Sequence, residues 1–411
     1  MRLHLTGLWR HADFLRLWSG QTVSAFGSMV GGAAMSFTAI LVLRATPFQL
    51  GLLNAMELAP GFLGGLVAGA WVDRLRRRPL LIGADLGRAV VLATIPLAAV
   101  LGILHIEQLY GVAILVSLLS LVFDVAYQTY LPSLVRKEDV LEGNSKLSAS
   151  SAVAEVGGFS IAGWLVQLLT APFAILIDAI SFLFSALTLG LIRAREPAPV
   201  PSESPHLGRE IGEGLREVLH HPLLRASAAA LLIHSISSGI YGALVVLYMN
   251  QGLGFEPGVL GLIWAVGGAS SFIGASQAPR LTRRLGVGPA MILGLALFGI
   301  AESLIPLAVG AGLISVVLLV AQQLGDGFYI FYDINLLSLR QGLVGERILG
   351  RVNATFQFIS LGALLAGSLL GGLLGGVIGV RLVLAIAAGG MFLAAGVLAF
   401  SPLRRFKELP Q

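Results

Sequence analysis

The fold class of this chain is decided by one stretch of sequence, Pro60-Gly-Phe-Leu-Gly-Gly-Leu-Val-Ala-Gly-Ala-Trp71, followed directly by Val72-Asp-Arg-Leu-Arg-Arg-Arg-Pro-Leu-Leu81. The first part carries no charged residue, and the second part carries five. Because Lys and Arg are retained on the cytoplasmic side of a membrane, an apolar helix that ends in an Arg cluster places that cluster at the cytoplasmic surface. The stretch therefore predicts a membrane-spanning helix that ends inside the cell.

Composition extends this prediction to the whole chain. Of the 411 residues, 56% are hydrophobic and 12% are charged, whereas soluble domains contain roughly 25% charged residues. Twelve apolar runs are long enough to cross a bilayer as helices. They lie near 14–43, 50–72, 79–103, 109–133, 146–169, 172–192, 225–250, 257–279, 287–310, 313–337, 352–376 and 380–400. The runs are continuous and do not alternate, which excludes a closed β-barrel. We expect an all-α integral membrane protein with twelve transmembrane helices.

The distribution of charge predicts the orientation of these helices. The net charge of +5 does not indicate a nucleic acid partner, because Lys and Arg are distributed by topology. Only Arg44 and Arg381 fall at the ends of runs that would face outward, and Arg88 lies within the third run. The positive-inside rule therefore predicts an even number of spans with both termini in the cytoplasm. No small-residue cleavage site follows the basic segment 1–18, so we expect the first helix to be its own insertion signal.

The reactive side chains argue against an enzyme. The chain has no cysteine, which excludes disulfides and thiolate metal ligands, and only His234 of seven histidines lies within an apolar run. The nucleotide-binding string Gly-x-x-x-x-Gly-Lys-Ser/Thr does not occur. We therefore expect no catalytic residues, no cofactor and no metal, and a membrane enzyme is only a distant alternative.

The sequence is organised in two similar parts. Arg74-Leu-Arg-Arg-Arg78 after the second run matches Arg280-Leu-Thr-Arg-Arg284 after the eighth. This internal repeat predicts an N-terminal six-helix half at 1–192 and a C-terminal six-helix half at 225–411. A cytoplasmic linker at 193–224 joins the two halves.

The linker contains two kinds of sequence. Its first part carries four prolines, which cannot continue a helix and suit an extended connection. In its second part, Ile211, Leu215 and Val218 follow one another at helical spacing. This pattern predicts a short amphipathic helix that lies against the membrane or against the helical bundle. Binding of a partner protein is the less favoured alternative.

Glycine is almost twice as frequent as usual, with 52 residues in the chain against an average of roughly 7%. Two runs carry glycines four residues apart on one face: Gly61, Gly65 and Gly69 on the second run, and Gly367, Gly371 and Gly375 on the eleventh. Such faces let helix backbones approach closely in lipid. We expect these residues to form a helix-packing interface.

Polar residues within apolar spans are energetically costly and are therefore functional candidates. They concentrate on four runs: Gln21, Ser24 and Ser28 on the first, Asp124, Tyr127 and Gln128 on the fourth, His234, Ser238 and Tyr241 on the seventh, and Gln322, Asp326 and Tyr329 on the tenth. One interpretation is that each residue makes an interhelical hydrogen bond. The favoured interpretation is that the four polar faces line a water-filled cavity for a small-molecule substrate.

The string Gly69-x-x-x-Asp73-Arg74-x-Arg76-Arg77-Arg78-x-x-Leu81 resembles the signature between the second and third helices of major facilitator superfamily transporters. It departs from that signature at Arg76, where glycine is usual. The resemblance implies two pseudo-symmetric six-helix halves with the polar site between them. It also implies that the four polar runs line the central cavity and that the two glycine faces meet.

Several further strings resemble the macrolide and enterobactin exporters of bacteria, a branch of drug–proton antiporters. They are Phe14-Leu-Arg-Leu-Trp-Ser-Gly-Gln21, Ala84-Asp-Leu-Gly-Arg88, Tyr130-Leu-Pro-Ser-Leu-Val135 and Gly350-Arg-Val352. In Gly157-Gly-Phe-Ser-Ile-Ala-Gly163, however, Phe159 stands where the antiporter signature has proline. The resemblance implies proton-coupled efflux of amphipathic small molecules, and we expect a monomer in a bacterial plasma membrane. An importer and a lipid or lysophospholipid flippase are the alternatives.

Proton coupling requires a carboxyl group that is neutral when buried and charged when hydrated. Asp326, Asp124 and Glu155 lie deep enough in their runs to be candidates. A second set of charged residues is expected to form a conformational gate at and after the Arg cluster: Asp73, Arg74, Arg77, Arg78, Asp85 and Arg88. Asp85 and Arg88 are three residues apart on one helix and can pair with each other or with the cluster at 73–78.

Overall fold

Helices make up nearly all the regular structure in the computed structural model, which describes residues 7–72, 75–194, 196 and 207–407 and contains no β-strand in these ranges. The helices are α1 (Ala12–Phe37), α2 (Pro47–Val72), α3 (Arg77–Val100), α4 (Ile106–Leu134), α5 (Val140–Leu169), α6 (Ala171–Gly190), α7 (Leu207–His220), α8 (Pro222–Leu247), α9 (Pro257–Leu285), α10 (Val287–Glu302), α11 (Leu313–Leu343), α12 (Glu346–Ile378) and α13 (Val380–Ala399). Short π-helical segments, Thr38–Val42 and Tyr248–Gly252, continue α1 and α8.

The predicted all-α membrane fold is confirmed, whereas the count of twelve transmembrane helices stays a prediction. In the part of the chain that the structure describes, nine helices are long and apolar enough to cross a membrane. A tenth span results if the bent pair Lys137–Glu155 and Ser160–Leu169 crosses as one. The predicted ninth run, 287–310, is wrong at its end, because α10 stops at Glu302 and turns follow. Pro306 lies in these turns, and proline has no N–H group with which to continue a helix.

The chain divides into two compact units. Unit 1 comprises Met1–Arg44 and Ala59–Pro205, and unit 2 comprises Ala45–Leu58 and His206–Gln411. In this division the first part of α2 belongs to unit 2, and the predicted linker is divided between the two units after Pro205. The predicted boundaries at 192 and 225 stay a prediction.

Helix α1 packs closely on α6 within unit 1. Gly27 and Gly31 of α1 face Ser181 and Asp178 of α6, and a Cβ atom built on either glycine would overlap the facing side chain. Because these positions carry no side chain, polar groups of α6 can lie against the backbone of α1. This packing brings the polar residues of both helices together.

The linker helix α7 packs on α12 within unit 2. Val218 of α7 is buried in the apolar core of this unit. A Cβ atom on Gly214 would lie 2.5 Å from the carbonyl oxygen of Arg351, so the two helix backbones are in close contact. Arg351 also forms an ion pair with Glu213. Of the two positions predicted for the amphipathic helix, the structure shows the one against the bundle.

Candidate functional site: two buried polar clusters

The first cluster of buried polar side chains lies in unit 1 between α3, α4 and α6. Arg88 forms an ion pair with Asp85 one turn earlier on α3, and both residues are buried. The Arg88 guanidinium also donates a hydrogen bond to Ser120 Oγ at 3.2 Å. Its Cζ atom lies 4.4 Å from the ring centre of Phe123 and 4.0 Å from that of Phe182, which are cation–π distances. Arg88 is therefore fixed by a carboxylate, a hydroxyl group and two aromatic rings.

Helix α1 adds polar contacts to this first cluster. Ser28 Oγ donates a hydrogen bond to Asp178 Oδ1 of α6 at 3.3 Å, and the Gln21 amide donates to Ser185 Oγ of α6 at 3.2 Å. Asp178 is buried and interacts electrostatically with Arg88. The first cluster thus contains one arginine and at least two carboxyl groups, so both carboxyl groups have a cation near them.

The cavity residues predicted on the first and fourth runs occupy different environments. The side chains of Gln21 and Ser28 are engaged with α6 as described, and Ser24 is buried. Asp124 and Gln128 of α4 are exposed, and the ring of Tyr127 stacks on that of Phe123 with centres 5.9 Å apart. The prediction that these residues line a substrate cavity stays a prediction.

The second cluster lies in unit 2 and joins α8, α10 and α11. Glu302, the last residue of α10, has only 6% of its surface exposed. Its Oε1 atom accepts a hydrogen bond from Gln322 Nε2 at 2.9 Å, and Gln322 Oε1 accepts one from Gln323 Nε2 at 2.7 Å. The hydroxyl of Tyr241 on α8 donates to the backbone carbonyl of Glu302 at 2.9 Å. This buried carboxyl group therefore has neutral hydrogen-bonding neighbours.

Asp326 extends the second cluster along α11. It lies one turn after Gln322 and interacts electrostatically with Glu302. A Cβ atom built on Gly267 of α9 would overlap both the Asp326 carboxylate and the side-chain oxygen of Gln323. Glycine at this position lets α9 lie directly against the polar face of α11. The structure therefore brings two carboxyl groups from adjacent helices into one neighbourhood.

Three further predicted cavity residues of unit 2 lie together. The ring of His234 on α8 stacks on Tyr329 of α11 with centres 4.8 Å apart. Its Nδ1 atom lies 3.1 Å from Met391 Sδ, and its Nε2 atom lies 3.3 Å from Ser238 Oγ. Both ring nitrogens therefore have partners within unit 2, and a contribution of these residues to substrate binding stays a prediction.

Two of the predicted gate residues anchor the start of α3. The carboxylate of Glu196 accepts hydrogen bonds from the backbone N–H groups of Arg77 at 2.7 Å and Arg78 at 3.2 Å. These N–H groups have no partner within the helix, so the carboxylate stabilises the helix end. The guanidinium of Arg78 donates to backbone carbonyl groups at the end of α6. Asp73 and Arg74 lie outside the described residues, and the gate itself stays a prediction.

The predicted glycine face on α12 packs against α8. Gly367, Gly371 and Gly375 face Ile236, Ile240 and Leu244, respectively. On α2, Gly65 has no heavy atom within 4 Å of a built Cβ, and Gly61 and Gly69 lie on the same helix. The α12 glycines therefore permit close packing inside unit 2, whereas the role of the α2 glycines stays a prediction.

Glu155, the third coupling candidate, is exposed on α5. It ends the first segment of the bent pair, whose two segments meet at 51°. Its place at this bend distinguishes it from Glu302 and Asp326, which pack between helices. No group of three or more His, Cys, Asp or Glu side chains that could hold a metal ion occurs in the described part of the chain.

Sequence reasoning did not select Glu302 as a site residue. The predicted run 287–310 continues beyond Glu302, whereas α10 ends at this residue. One signal could have identified it, since Gln322 and Gln323 are adjacent amides within an apolar run. Two such amides require hydrogen-bonding partners on neighbouring helices.

Known proteins share this fold. The chain is 25% identical over 350 residues to the uncharacterized MFS-type transporter y4rN of Sinorhizobium fredii. This alignment covers 83% of this chain and 85% of that protein. The crystal structure of the nucleoside transporter NupG matches with a TM-score of 0.75 and 14% identity over 94% of this chain and 98% of NupG. A bacterial homologue of the iron transporter ferroportin, in the inward-facing state, matches with a TM-score of 0.76 and 20% identity. This match covers 95% of this chain and 98% of the homologue. The fold is that of major facilitator transporters.

The family follows from a match that covers nearly the whole chain. Residues 7–411 match the family model MFS_3, described as transmembrane secretion effector, and the chain belongs to this family. The protein is therefore a multi-pass membrane transporter of the major facilitator type and not an enzyme. The resemblance to this superfamily is confirmed, whereas the narrower resemblance to macrolide and enterobactin exporters stays a prediction.

Proposed function

We propose that this transporter exports amphipathic small molecules, of drug-like or siderophore-like chemistry, in exchange for protons. The second cluster is the observation that supports proton coupling. Glu302 and Asp326 lie on adjacent helices, and the hydrogen-bonding partner of the Glu302 carboxyl group is an amide. Among the described residues, no Lys or Arg side chain contacts Glu302.

A buried carboxylate with no cation beside it is costly, because desolvation is not repaid by an ion pair. Such a group binds a proton when water is excluded and releases it when water enters. A conformational cycle that hydrates the second cluster on one side of the membrane would therefore load and unload protons. In this proposal Asp326 is the principal coupling residue and Glu302 is its partner, with Asp124 and Glu155 as the next candidates.

Exchange requires the substrate and the proton to compete. A cationic or hydrogen-bonding group of the substrate would bind a carboxylate that has lost its proton, and protonation would expel it. The predicted aromatic and polar residues of α8 and α11 would supply apolar and hydrogen-bonding surface for an amphipathic molecule. The protein would need no cofactor, and its partners would be the substrate, protons and the lipid bilayer.

Two observations support export rather than import. The family is described as a secretion effector, and the sequence resembles bacterial drug and siderophore exporters. We further propose that the protein lies in a bacterial plasma membrane with both termini in the cytoplasm and acts as a monomer. Cytoplasmic signals from reporters fused after residues 200 and 407 would support this orientation, and a periplasmic signal from either would contradict it.

Transport in inside-out membrane vesicles tests the function. The vesicles are loaded so that their interior is more acidic than the medium. We expect this pH gradient to drive accumulation of at least one compound from a panel of lipophilic cations, macrolides and siderophores. A protonophore should abolish this accumulation. Accumulation in right-side-out vesicles alone would indicate an importer. Translocation of labelled lysophospholipid without uptake of any panel member would indicate a flippase. Uptake that is unaffected by the pH gradient would contradict proton coupling.

A further inference from the structure

A groove of about 590 Å³ lies in unit 2 where α10 ends and α12 passes into α13. One side is formed by Pro306 and Leu307, and the other side includes Ile378, Leu382 and Ala385. The only charged residue in the lining is Arg381, in the first turn of α13. The groove therefore combines an apolar surface with a single cation.

Arg381 is held in a fixed orientation and carries uncompensated charge. Its Nε atom donates a hydrogen bond to the carbonyl oxygen of Pro306 at 2.7 Å. In the described ranges, its two Nη groups have neither an acidic partner nor a hydrogen-bond acceptor. The first turn of α13 contains no acidic residue, so the positive end of the helix dipole adds to the positive charge. A planar guanidinium held through Nε presents its two Nη groups as a pair of donors for an anion.

The groove opens onto an apolar exposed surface. Leu307, Leu382 and Ile378 have 60%, 54% and 42% of their surfaces exposed. In a membrane protein, exposed apolar side chains of this kind meet lipid acyl chains. A molecule that fills the groove must therefore present an anion to Arg381 and hydrocarbon to the rest of the lining.

We propose that this groove is a binding site for an anionic phospholipid. The phosphate accepts hydrogen bonds from the Nη groups of Arg381, and an acyl chain lies along Leu307, Leu382 and Ala385. An inorganic anion would leave the apolar lining uncovered, and a net-neutral phospholipid such as phosphatidylcholine would bring its own cation close to Arg381. The complementarity of charge and apolar surface therefore selects a phospholipid with a negative headgroup.

Native mass spectrometry of the full-length protein tests this site with phosphatidylglycerol as the probe. We expect the wild type to retain phosphatidylglycerol in preference to phosphatidylcholine. Arg381→Gln should weaken retention about tenfold, as expected for loss of a bidentate charge-assisted contact, and Arg381→Lys should weaken it less. Arg44→Gln is the matched control, because Arg44 is exposed and does not line the groove. Equal retention by Arg381→Gln and wild type, or equal losses in both Gln variants, would overturn the proposal.

A second variant tests the apolar part of the site while keeping the arginine. Ala385 is exposed in the groove, so Ala385→Trp should fill the space without disturbing the core and should abolish retention of phosphatidylglycerol. The melting temperatures of Arg381→Gln and Ala385→Trp should be close to that of the wild type, which would exclude misfolding as the cause of the lost retention. Undiminished retention by Ala385→Trp, or displacement of the lipid by an equal concentration of inorganic phosphate, would refute a phospholipid site.

Discussion

The two buried polar clusters differ in how their charges are compensated. In unit 1, Arg88 pairs with Asp85 and interacts with Asp178, so the cluster contains its own counterion. In unit 2, Glu302 and Asp326 share their neighbourhood with the amides of α11, and the described contacts of Glu302 include no cation. The first arrangement is suited to stabilising the fold, because its buried carboxyl groups lie beside a cation. The second is suited to binding and releasing a proton.

This difference gives a criterion for separating structural from functional acids in a membrane transporter. Removing one partner from a buried ion pair leaves an uncompensated charge and destabilises the protein. Replacing a carboxyl group by an amide among neutral partners changes the charge but keeps most hydrogen bonds. Removing one charged group should therefore impair folding in unit 1 and energy coupling in unit 2.

The largest effect is expected at Arg88. Arg88→Met should lower the free energy of unfolding by about 3–5 kcal/mol, because Asp85 is then left buried without its cation. The measurement is thermal or denaturant unfolding of the purified protein in detergent, together with the yield of folded protein. The double variant Asp85→Asn/Arg88→Met should recover much of the loss. Equal destabilisation in the single and double variants would show that the ion pair is not the source of the effect.

The next effect concerns transport and should leave stability largely unchanged. Asp326→Asn should abolish pH-gradient-driven accumulation while preserving binding of neutral substrates or downhill flux. Glu302→Gln should also reduce pH-gradient-driven accumulation. Both changes remove a group that can carry a proton. Substrate accumulation in inside-out vesicles and the melting temperature of each variant are the two measurements.

Two acids serve as controls for this test. Asp333→Asn changes an exposed carboxyl group on the same helix as Asp326 and should leave gradient dependence intact. Asp124→Asn tests the unit 1 candidate, which interacts electrostatically with Arg88, and a smaller loss is expected. If Asp326→Asn and Asp124→Asn both keep the full gradient dependence, the coupling residue lies elsewhere, and Glu155 is the next candidate.

The sequence predicted the helical fold well because membrane spans are recorded in long apolar runs that need no tertiary information. It predicted the contacts of polar residues less completely, because these depend on which helices are neighbours. The polar stripe on α1 illustrates the difference. Its spacing placed Gln21 and Ser28 on one face, but only the packing of α1 on α6 shows that they bind Ser185 and Asp178.

Glu302 and Glu196 were harder to identify from sequence for related reasons. The burial of Glu302 depends on α10 stopping at that residue and on Gln322 facing it from α11. The role of Glu196 depends on the linker returning to the start of α3, where it binds two backbone N–H groups. Neither juxtaposition has a local sequence signal of its own.

Glycine packing is expected to have a smaller effect on stability, and this effect should differ between the two units. A Cβ atom on Gly367 would overlap a backbone oxygen of Ile236, which cannot move independently, whereas one on Gly31 would overlap the side chain of Asp178. Gly367→Ala should therefore cost about 1–3 kcal/mol of unfolding free energy, and Gly31→Ala should cost less. Gly376→Ala is the control on α12, since a Cβ at Gly376 meets nothing within 4 Å. Equal melting temperatures of Gly367→Ala and Gly376→Ala would contradict the packing described here.

The smallest effect is expected at the ion pair between Glu213 of α7 and Arg351 of α12. Its side chains are 34% and 29% exposed, in contrast to the buried pair of Arg88 and Asp85. Water already solvates both groups, so Glu213→Gln should lower the free energy of unfolding by less than about 1 kcal/mol. Gly214→Leu, one residue away, should cost more, because its side chain would force α7 from the backbone of α12. Limited proteolysis of the linker measures this detachment. Faster cleavage in Glu213→Gln than in Gly214→Leu would show that charge, rather than close packing, holds α7 in place.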